Sequence, residues 1–387
     1  MAVLGLWPAR PVALGVVATS DCGNCGGSGY GSGMTLDWRL RPGPALAILA
    51  AALFGLSAPA AKLLVGTVDP WLLAGLLYLG SGIGLGALRF ARRLSGAGSR
   101  EAALTGRDVP WLAGAIITGG VIGPVLLMSG LARAGAADSA LLLNLEGVFT
   151  ALLAAVVFRE HVPARIALGM VAITAGAATL ARANSGGLPL DPPALLVAGA
   201  CVAWAVDNNF TRVVSGTDPV IVAALKGAVA GTVNVSIALA QDATWPTVSV
   251  VLAAGVVGFL GYGTSLILFV RALRDLGTSR TGAYFATAPF IGAVGGVVVL
   301  GERLTLALAV GAALMAVGVW LHLTEQHDHG HLHEPLTHEH AHSHDEHHQH
   351  DHPLGTPQRR PHTHRHTHTA VRHRHPHYPD LHHRHPH

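Results

Sequence analysis

Ten apolar segments follow one another between residues 44 and 323, and each is long enough to cross a lipid bilayer as a helix. A helix needs about 20 mainly apolar residues to span the hydrocarbon of a membrane. The segments are 44–65, 71–89, 111–132, 137–158, 164–182, 194–214, 219–240, 248–271, 280–300 and 305–323. Because a chain in lipid must satisfy its own backbone polar groups, this pattern predicts an all-α integral membrane protein with ten transmembrane helices.

Composition and motifs exclude other classes of protein. Charged residues make up 12% of the 387 residues, against about 25% in an average soluble domain, so a soluble globular fold is not expected. The Cys22–Cys25 pair has no second pair, which excludes a four-cysteine zinc site. The ten apolar segments contain no H-E-x-x-H and the sequence contains no G-x-S-x-G, and we therefore expect no enzymatic activity.

The chain divides into four parts. Residues 1–43 form a leader, interpreted as disordered or as a mis-called start, with Met1 and Met34 both open as the first residue. Two five-helix repeats follow at 44–182 and 194–323, and residues 324–387 form a polar tail.

The two repeats are related by a shift of 142 residues, which places Leu131–Gly176 on Leu273–Gly318. The identical pairs include Gly135/Gly277, Ala151/Ala293, Val156/Val298, Val157/Val299, Glu160/Glu302, Gly169/Gly311 and Gly176/Gly318. Because each repeat has five segments, the second copy enters the membrane with the opposite orientation. Inverted repeats are typical of secondary transporters, whose substrate site lies between the repeats near the midplane of the bilayer.

The distribution of cations predicts the orientation. With a cytoplasmic N-terminus, the thirteen inside cations are Arg39, Arg41, Arg89, Arg92, Arg93, Arg100, Arg107, Arg159, Arg165, Arg212, Arg271, Arg274 and Arg280. The four outside cations are Lys62, Arg133, Arg182 and Arg303. Basic loops remain in the cytoplasm, so we expect a multi-pass plasma (inner) membrane protein with both termini inside.

The ends of the fourth segment of each repeat share a motif. The sequences are Phe158-Arg159-Glu160-His161 and Gly301-Glu302-Arg303-Leu304, accompanied by Ala203-Trp204-x3-Asn208 and Ala286-x2-Pro289. On these residues the chain resembles the drug/metabolite transporter superfamily, specifically the ten-helix EamA-type permeases, over about residues 44–323. The resemblance implies a ten-helix bundle that acts as a secondary transporter or exporter. The first repeat departs from the pattern, because Gly147 stands where the second has Pro289.

Several polar residues lie inside the apolar segments. The candidate pathway residues are Glu146, Asn144, Asp207, Asn208, Lys226 and Tyr284. A charge at the centre of a membrane helix costs about 2.5–3.5 kcal/mol on insertion scales and usually marks a transport pathway. We expect Glu146, Asp207 and Lys226 to face one polar cavity, where a carboxylate binds a proton or a cation. The alternative is structural: a Glu146–Lys226 ion pair, with asparagines joining helices by hydrogen bonds.

Two acidic residues lie at the ends of segments rather than inside them. Glu160 and Glu302 stand beside Arg159 and Arg303, near the membrane surface. Capping of a helix or a short ion pair at the interface is the favoured interpretation, ahead of contact with substrate.

Histidine is concentrated in the tail, since 24 of the 25 histidines lie in residues 322–387. The first block of candidate metal ligands is His327, His329, His331, His333, His338, His340, His342, His344, His347, His348, His350 and His352. Neutral imidazole is a good ligand for Zn, Cu, Ni and Co. The composition predicts a disordered tail that binds divalent metal ions (Ni, Co, Zn), with no cofactor required. A tail that is only solubilising or pH-sensitive is the alternative.

Together these features predict a secondary transporter, most simply an exporter. One hypothesis is efflux of a divalent transition metal (Ni, Co or Zn), or metal-linked transport, with the tail collecting ions at the cytoplasmic mouth. The alternative is export of an organic metabolite or amino acid, with a metal-responsive regulatory tail. A membrane-anchored metal store is a third hypothesis, disfavoured because one span would suffice for an anchor. The expected partners are the lipid bilayer and a small-molecule or ion substrate, with a homodimer left open and no nucleic acid.

Overall fold

The computed structural model describes residues 43–95, 104–157, 162–185, 191–214, 217–276 and 278–324, together with four short segments of the tail. The predicted leader, including Cys22 and Cys25, lies outside these residues, apart from Gly43, which begins the first helix.

The described residues form ten helical spans of membrane-crossing length, which confirms the predicted fold class. Six of the spans are single helices: span 1 Gly43–Val65, span 2 Pro70–Leu94, span 5 Ala164–Asn184, span 6 Pro192–Val213, span 7 Pro219–Ala240 and span 10 Leu306–Leu323. The other four spans are interrupted, in two pairs that correspond between the repeats.

Spans 3 and 8 each contain a π-helical turn near the middle. Span 3 consists of Val109–Ala115, the π-helix Ile116–Ile122 and Gly123–Leu131. Span 8 consists of Val248–Gly258, the π-helix Phe259–Thr264 and Ser265–Leu276. A π-turn alters the hydrogen-bonding pattern of the helix and occurs frequently at functional sites.

Spans 4 and 9 are broken into two half-helices, although the sequence predicted each as one continuous segment. Span 4 consists of Ala136–Leu142 and Leu145–Val157, and span 9 of Thr278–Phe285 and Ala288–Leu300. In span 9 the break precedes Pro289, which has no N–H to continue the helix. In span 4 the Asn144 amide donates to the Leu141 carbonyl at 2.8 Å, a local bond that competes with the helical pattern.

The spans pack in corresponding pairs, span 2 along span 7 and span 5 along span 10. Glycines let the backbones approach closely at both contacts. A methyl group at Gly82 would collide with the backbone of span 7, and one at Gly176 would collide with the backbone of span 10. In a membrane the hydrophobic effect does not drive helices together, because lipid is as apolar as the helix surfaces. Small residues at helix contacts therefore stabilise packing by allowing the backbones to approach closely.

Corresponding aspartates begin spans 2 and 7. The Asp69 carboxylate accepts from the N–H groups of Trp71 and Leu72, at 2.9 and 3.2 Å. The Asp218 carboxylate accepts from the Val220 N–H at 2.9 Å and also from the guanidinium of Arg89 at 2.7 Å. Each aspartate stands directly before a proline and is an N-cap, and Asp218 also ties span 7 to span 2 of the other repeat.

The described parts of the tail are four strands, where the sequence predicted disorder. Strand β1 (Asp328–His333) pairs antiparallel with β4 (Val371–Pro376), and β2 (Thr337–His342) pairs antiparallel with β3 (His362–Thr367). The register places histidine opposite histidine at five positions: 329/375, 331/373, 338/366, 340/364 and 342/362. His-x-His repeats every two residues, and side chains on a strand alternate with the same period. An antiparallel register can therefore align the histidines of two paired strands.

Candidate functional site

Asp207 and Lys226 form an ion pair between spans 6 and 7. The Lys226 ammonium lies 2.7 Å from Oδ1 and 2.5 Å from Oδ2 of Asp207. The two side chains are only 8% and 18% exposed, with Asp207 the more buried. The Thr211 hydroxyl also donates to Asp207 Oδ1, at 2.9 Å. This carboxylate, rather than that of Glu146, is therefore the direct partner of Lys226.

Glu146 lies at the break in span 4 and contacts the other repeat. Its Oε1 accepts from the Asn208 amide at 2.8 Å, and the same amide lies 3.4 Å from the Thr150 hydroxyl. Glu146 is in the first turn of the half-helix Leu145–Val157, where free backbone N–H groups stabilise a negative charge. Asn208 is exposed although it lies inside span 6. A polar side chain exposed to lipid at that depth would be costly, and the hydrogen bond to Glu146 gives the Asn208 amide a polar partner.

The π-turn of span 3 presents two backbone carbonyls to side chains of other spans. The Gly119 carbonyl accepts from the Tyr78 hydroxyl at 2.8 Å and from the Trp204 indole N–H at 2.9 Å. The Gly120 carbonyl accepts from the Asn234 amide at 3.0 Å. Asp207 lies directly against Gly119, where any side chain would collide with its carboxylate.

Pro124 explains why these carbonyls are available. In an α-helix the Gly120 carbonyl would accept from residue 124, which is a proline without an N–H. In the π-helix each N–H bonds to the carbonyl five residues earlier, as the Gly123 N–H does to the Thr118 carbonyl. The next bond in this pattern would join the N–H of residue 124 to the Gly119 carbonyl, and Pro124 has no N–H. Buried carbonyls require partners, and Tyr78, Trp204 and Asn234 supply them from spans 2, 6 and 7.

A row of aromatic rings, the aromatic row, continues from Tyr78. Its ring centroids are 5.6 Å apart for Tyr78–Tyr262, 6.2 Å for Tyr262–Phe54, 5.4 Å for Phe54–Phe285 and 4.8 Å for Phe285–Phe269. The rings come from spans 2, 8, 1 and 9, so both repeats contribute. Tyr78 belongs both to this row and to the hydrogen-bonded group around Gly119, so the row adjoins the polar site.

The predicted pathway residues separate into two groups. Glu146 is hydrogen-bonded to Asn208 and Lys226 is paired with Asp207, and these two contacts adjoin because Asp207 and Asn208 are consecutive residues of span 6. Asn144 instead faces span 10, where its amide lies 3.7 Å from the sulfur of Met315.

Tyr284, the remaining predicted residue, lies in the first half of span 9. Its carbonyl accepts from the Thr287 hydroxyl at 2.6 Å, and in the described part of the chain it takes no part in the hydrogen bonds around Glu146. Sequence reasoning did not single out Tyr78 or Gly119. The signal that identifies them is the Gly119-Gly120 pair four and five residues before Pro124 in an otherwise apolar span.

Glu302 joins the two repeats at the other end of span 9. Its carboxylate accepts from the backbone N–H groups of Ala136 and Ala137, at 2.6 and 2.8 Å. Gly301, with φ of 67°, ends span 9 in the left-handed conformation that glycine adopts readily. The interpretation of Glu302 as a helix cap agrees with this geometry, but the capped helix belongs to the other repeat. Arg159 and Glu160 lie outside the described residues.

The described residues contain no group of three His, Cys, Asp or Glu side chains that could hold a metal ion. Six of the candidate tail ligands fall on the described strands: His329, His331, His333, His338, His340 and His342. The other six fall outside the described residues: His327, His344, His347, His348, His350 and His352.

Comparison with known proteins supports a membrane transporter. The sequence profile of the EamA-like transporter family matches residues 41–182 and 192–324. An uncharacterized transporter of Methanothermobacter thermautotrophicus (strain Delta H) is 27% identical over 288 residues, which cover 71% of this chain and 84% of the relative. A crystal structure with 22% sequence identity covers 73% of this chain and 96% of its own, with a TM-score of 0.55. At that identity the structural likeness establishes the fold alone.

Proposed function

This chain belongs to the EamA-like transporter family, and from that premise we propose that it exports a small organic metabolite through a site centred on Glu146. Membership confirms the resemblance to the drug/metabolite transporter superfamily and the expectation of a transporter rather than an enzyme. The substrate, the direction of transport and the role of the tail are the proposed parts.

The observation that carries the proposal is the hydrogen bond between Glu146 and Asn208. Glu146 belongs to the first repeat and Asn208 to the second, and the bond forms where span 4 is broken. A polar contact between inverted repeats, at a discontinuous helix, is the arrangement by which many secondary transporters bind substrate near the midplane.

This position makes Glu146 sensitive to the movement that transport requires. In alternating access, one repeat moves relative to the other around the bound substrate. Such a movement must lengthen or re-form the Glu146–Asn208 bond, because its two ends lie on different repeats. A substrate or proton that binds Glu146 more tightly in one arrangement of the repeats than in the other therefore favours the first arrangement.

An organic substrate is supported better than a metal ion for this central site. Nickel, cobalt and zinc prefer imidazole or thiolate ligands, whereas the described residues around Glu146 offer an amide, hydroxyls and an ion pair. Among the described residues of the spans, the cysteine is Cys201. It is buried, and its sulfur faces the Leu142 carbonyl.

The His-rich tail supports a second, metal-linked role. Its 24 histidines include five pairs placed opposite each other by the strand register. We propose that the tail binds Ni, Co or Zn and makes transport responsive to metal. The thirteen-to-four distribution of cations supports a cytoplasmic tail and a plasma membrane location.

Transport into proteoliposomes tests the central proposal. Purified full-length protein is assayed with radiolabelled organic cations, amino acids, organic anions and divalent metals, with and without a pH gradient. We expect uptake of at least one organic solute, and loss of that uptake in Glu146→Gln. Asp138→Asn is the matched control, because Asp138 is also on span 4 but bonds to Asn184, at 2.9 Å, away from the site.

Two results would contradict the proposal. Transport of a divalent metal alone, by protein lacking residues 325–387, would assign the central site to a metal. Organic transport that Glu146→Gln leaves unchanged would remove Glu146 from the pathway.

A further inference from the structure

Resting on the proposed function, we propose that the central site binds a small organic cation with an apolar or aromatic body. The charges of the site, the unused acceptor positions of Glu146 and the rings beside it favour this class of ligand.

The described charges of the site leave one negative charge without a direct countercharge. Asp207 and Lys226 neutralise each other through two contacts of 2.7 and 2.5 Å. Glu146 is hydrogen-bonded by the neutral amide of Asn208. An anionic substrate would face Glu146 and would also have to break the Lys226–Asp207 pair. A cation needs neither, because it pairs with Glu146 directly.

Glu146 also has room for a ligand. A carboxylate has about four acceptor positions on its two oxygens. Among the hydrogen bonds of the described residues, the Asn208 amide donates to Oε1, and Oε2 accepts none. The side chain is partly exposed, and Asn208 beside it is exposed. A bound ammonium can therefore approach Oε2 while Asn208 continues to hold the other oxygen.

The aromatic residues beside the site have their polar hydrogens bonded within the protein. The Tyr78 hydroxyl and the Trp204 N–H both donate to the Gly119 carbonyl, so neither donor hydrogen is free for a substrate. Trp204 lies four residues before Asn208, which puts the two on the same face of span 6. Tyr78, Trp204, Tyr262 and Phe54 are all partly exposed.

Such rings attract cations and apolar groups together. A cation over an aromatic face gains about 0.5–1 kcal/mol at an exposed site and about 2 kcal/mol or more when desolvated. The aromatic row also supplies an apolar surface for the body of the ligand, over rings spaced 4.8–6.2 Å apart. A metal ion would use neither feature, whereas an aryl or alkyl ammonium would use both.

Isothermal titration of the purified full-length protein with four probes of similar size tests this class. The probes are trimethyl(2-phenylethyl)ammonium, its cyclohexyl analogue, phenylalanine and 3-phenylpropionate. We expect the phenyl cation to bind most tightly, followed by the cyclohexyl cation, the zwitterion and then the anion. Glu146→Gln should weaken binding of the phenyl cation tenfold or more, and Asp138→Asn should leave it unchanged.

Glu146→Asp keeps the charge and should restore part of the affinity, and thermal unfolding of each variant shows whether it is folded. If Glu146→Gln fails to fold, the ranking of the four probes on the unaltered protein decides. The inference is overturned if the anion or zwitterion binds as tightly as the phenyl cation, if Glu146→Gln binds that cation unchanged, or if no probe binds. Transport of a neutral or anionic solute in proteoliposomes would then leave the proposed function standing without this substrate class.

Discussion

The carboxylate of Glu302 caps the helix that begins at Ala136, although the two residues belong to opposite repeats. The distance from Oε1 to the Ala136 N–H is 2.6 Å, and the neighbouring N–H of Ala137 lies 2.8 Å from Oε2. Lys62 contacts the adjoining loop, where its ammonium donates to the carbonyls of Leu131 and Ala134. Spans 1, 4 and 9 are therefore held together at the end of the bundle that contains Glu302.

Replacing Glu302 with Gln should destabilise the bundle. The amide keeps one acceptor but loses the charge, and hydrogen bonds to charged groups contribute about 1.5–3 kcal/mol. We expect the free energy of unfolding to fall by about 2 kcal/mol, measured by thermal denaturation in detergent. Arg303→Gln is the control, because Arg303 is exposed. An equal loss in both variants would indicate that the Glu302–Arg303 ion pair, and not the cap, is the stabilising contact.

Removing one partner of the Asp207–Lys226 pair should cost more than removing both. Asp207→Leu leaves the Lys226 ammonium, which is 18% exposed, without its countercharge, and Lys226→Met does the same to the Asp207 carboxylate. Breaking a buried pair in this way typically costs about 3–5 kcal/mol. The double variant Asp207→Leu/Lys226→Met should recover most of that stability, as measured by denaturation in detergent. A double variant as unstable as the sum of the single variants would show that the two residues act independently.

Alanine at Gly119 should disrupt the site. Its methyl group would collide with the Asp207 carboxylate, and overpacking a filled position costs about 1–3 kcal/mol. We expect lower thermal stability and at least a tenfold loss of transport activity. Gly255→Ala is the matched control, since a methyl group there meets no atom within 4 Å. Transport by Gly119→Ala at the rate of Gly255→Ala would contradict the tight contact with Asp207.

Metal binding by the tail should fall as the pH is lowered. Imidazole binds metal in its neutral form and takes up a proton at about pH 6–7. The number of Ni or Zn ions bound by full-length protein should therefore decrease between pH 7.5 and pH 5.5, as measured by equilibrium dialysis. Protein that ends at residue 324 should bind few metal ions at either pH. Equal binding by the shortened protein would place the metal sites outside the tail.

The orientation of the bundle can be checked by cysteine labelling. Arg93, Arg271 and Arg303 are exposed residues at the ends of spans, and each can be replaced by cysteine in a chain whose natural cysteines have been removed. We expect a membrane-impermeant maleimide added to intact cells to label the cysteine at 303 but not those at 93 or 271. The reverse labelling would place the tail outside the cell and invalidate the positive-inside assignment.

The fold could be predicted because its signals are local. Apolar length identified the ten spans. The 142-residue repeat predicted inverted halves, but it did not predict the breaks at residues 143–144 and 286–287. Continuous apolar sequence conceals such breaks, because they depend on single residues such as Pro289 and Asn144.

The sequence by itself determined which polar residues lie at membrane depth, since that depends only on position within a span. Tertiary structure alone decided their partners: Lys226 pairs with Asp207 and not with Glu146, Asn144 faces span 10, and Glu302 caps the opposite repeat. The physical reason is that a side-chain partner depends on which spans are neighbours and how each is rotated about its axis. Those properties are set by close contacts between glycine-rich helices, which a single span's periodicity does not encode.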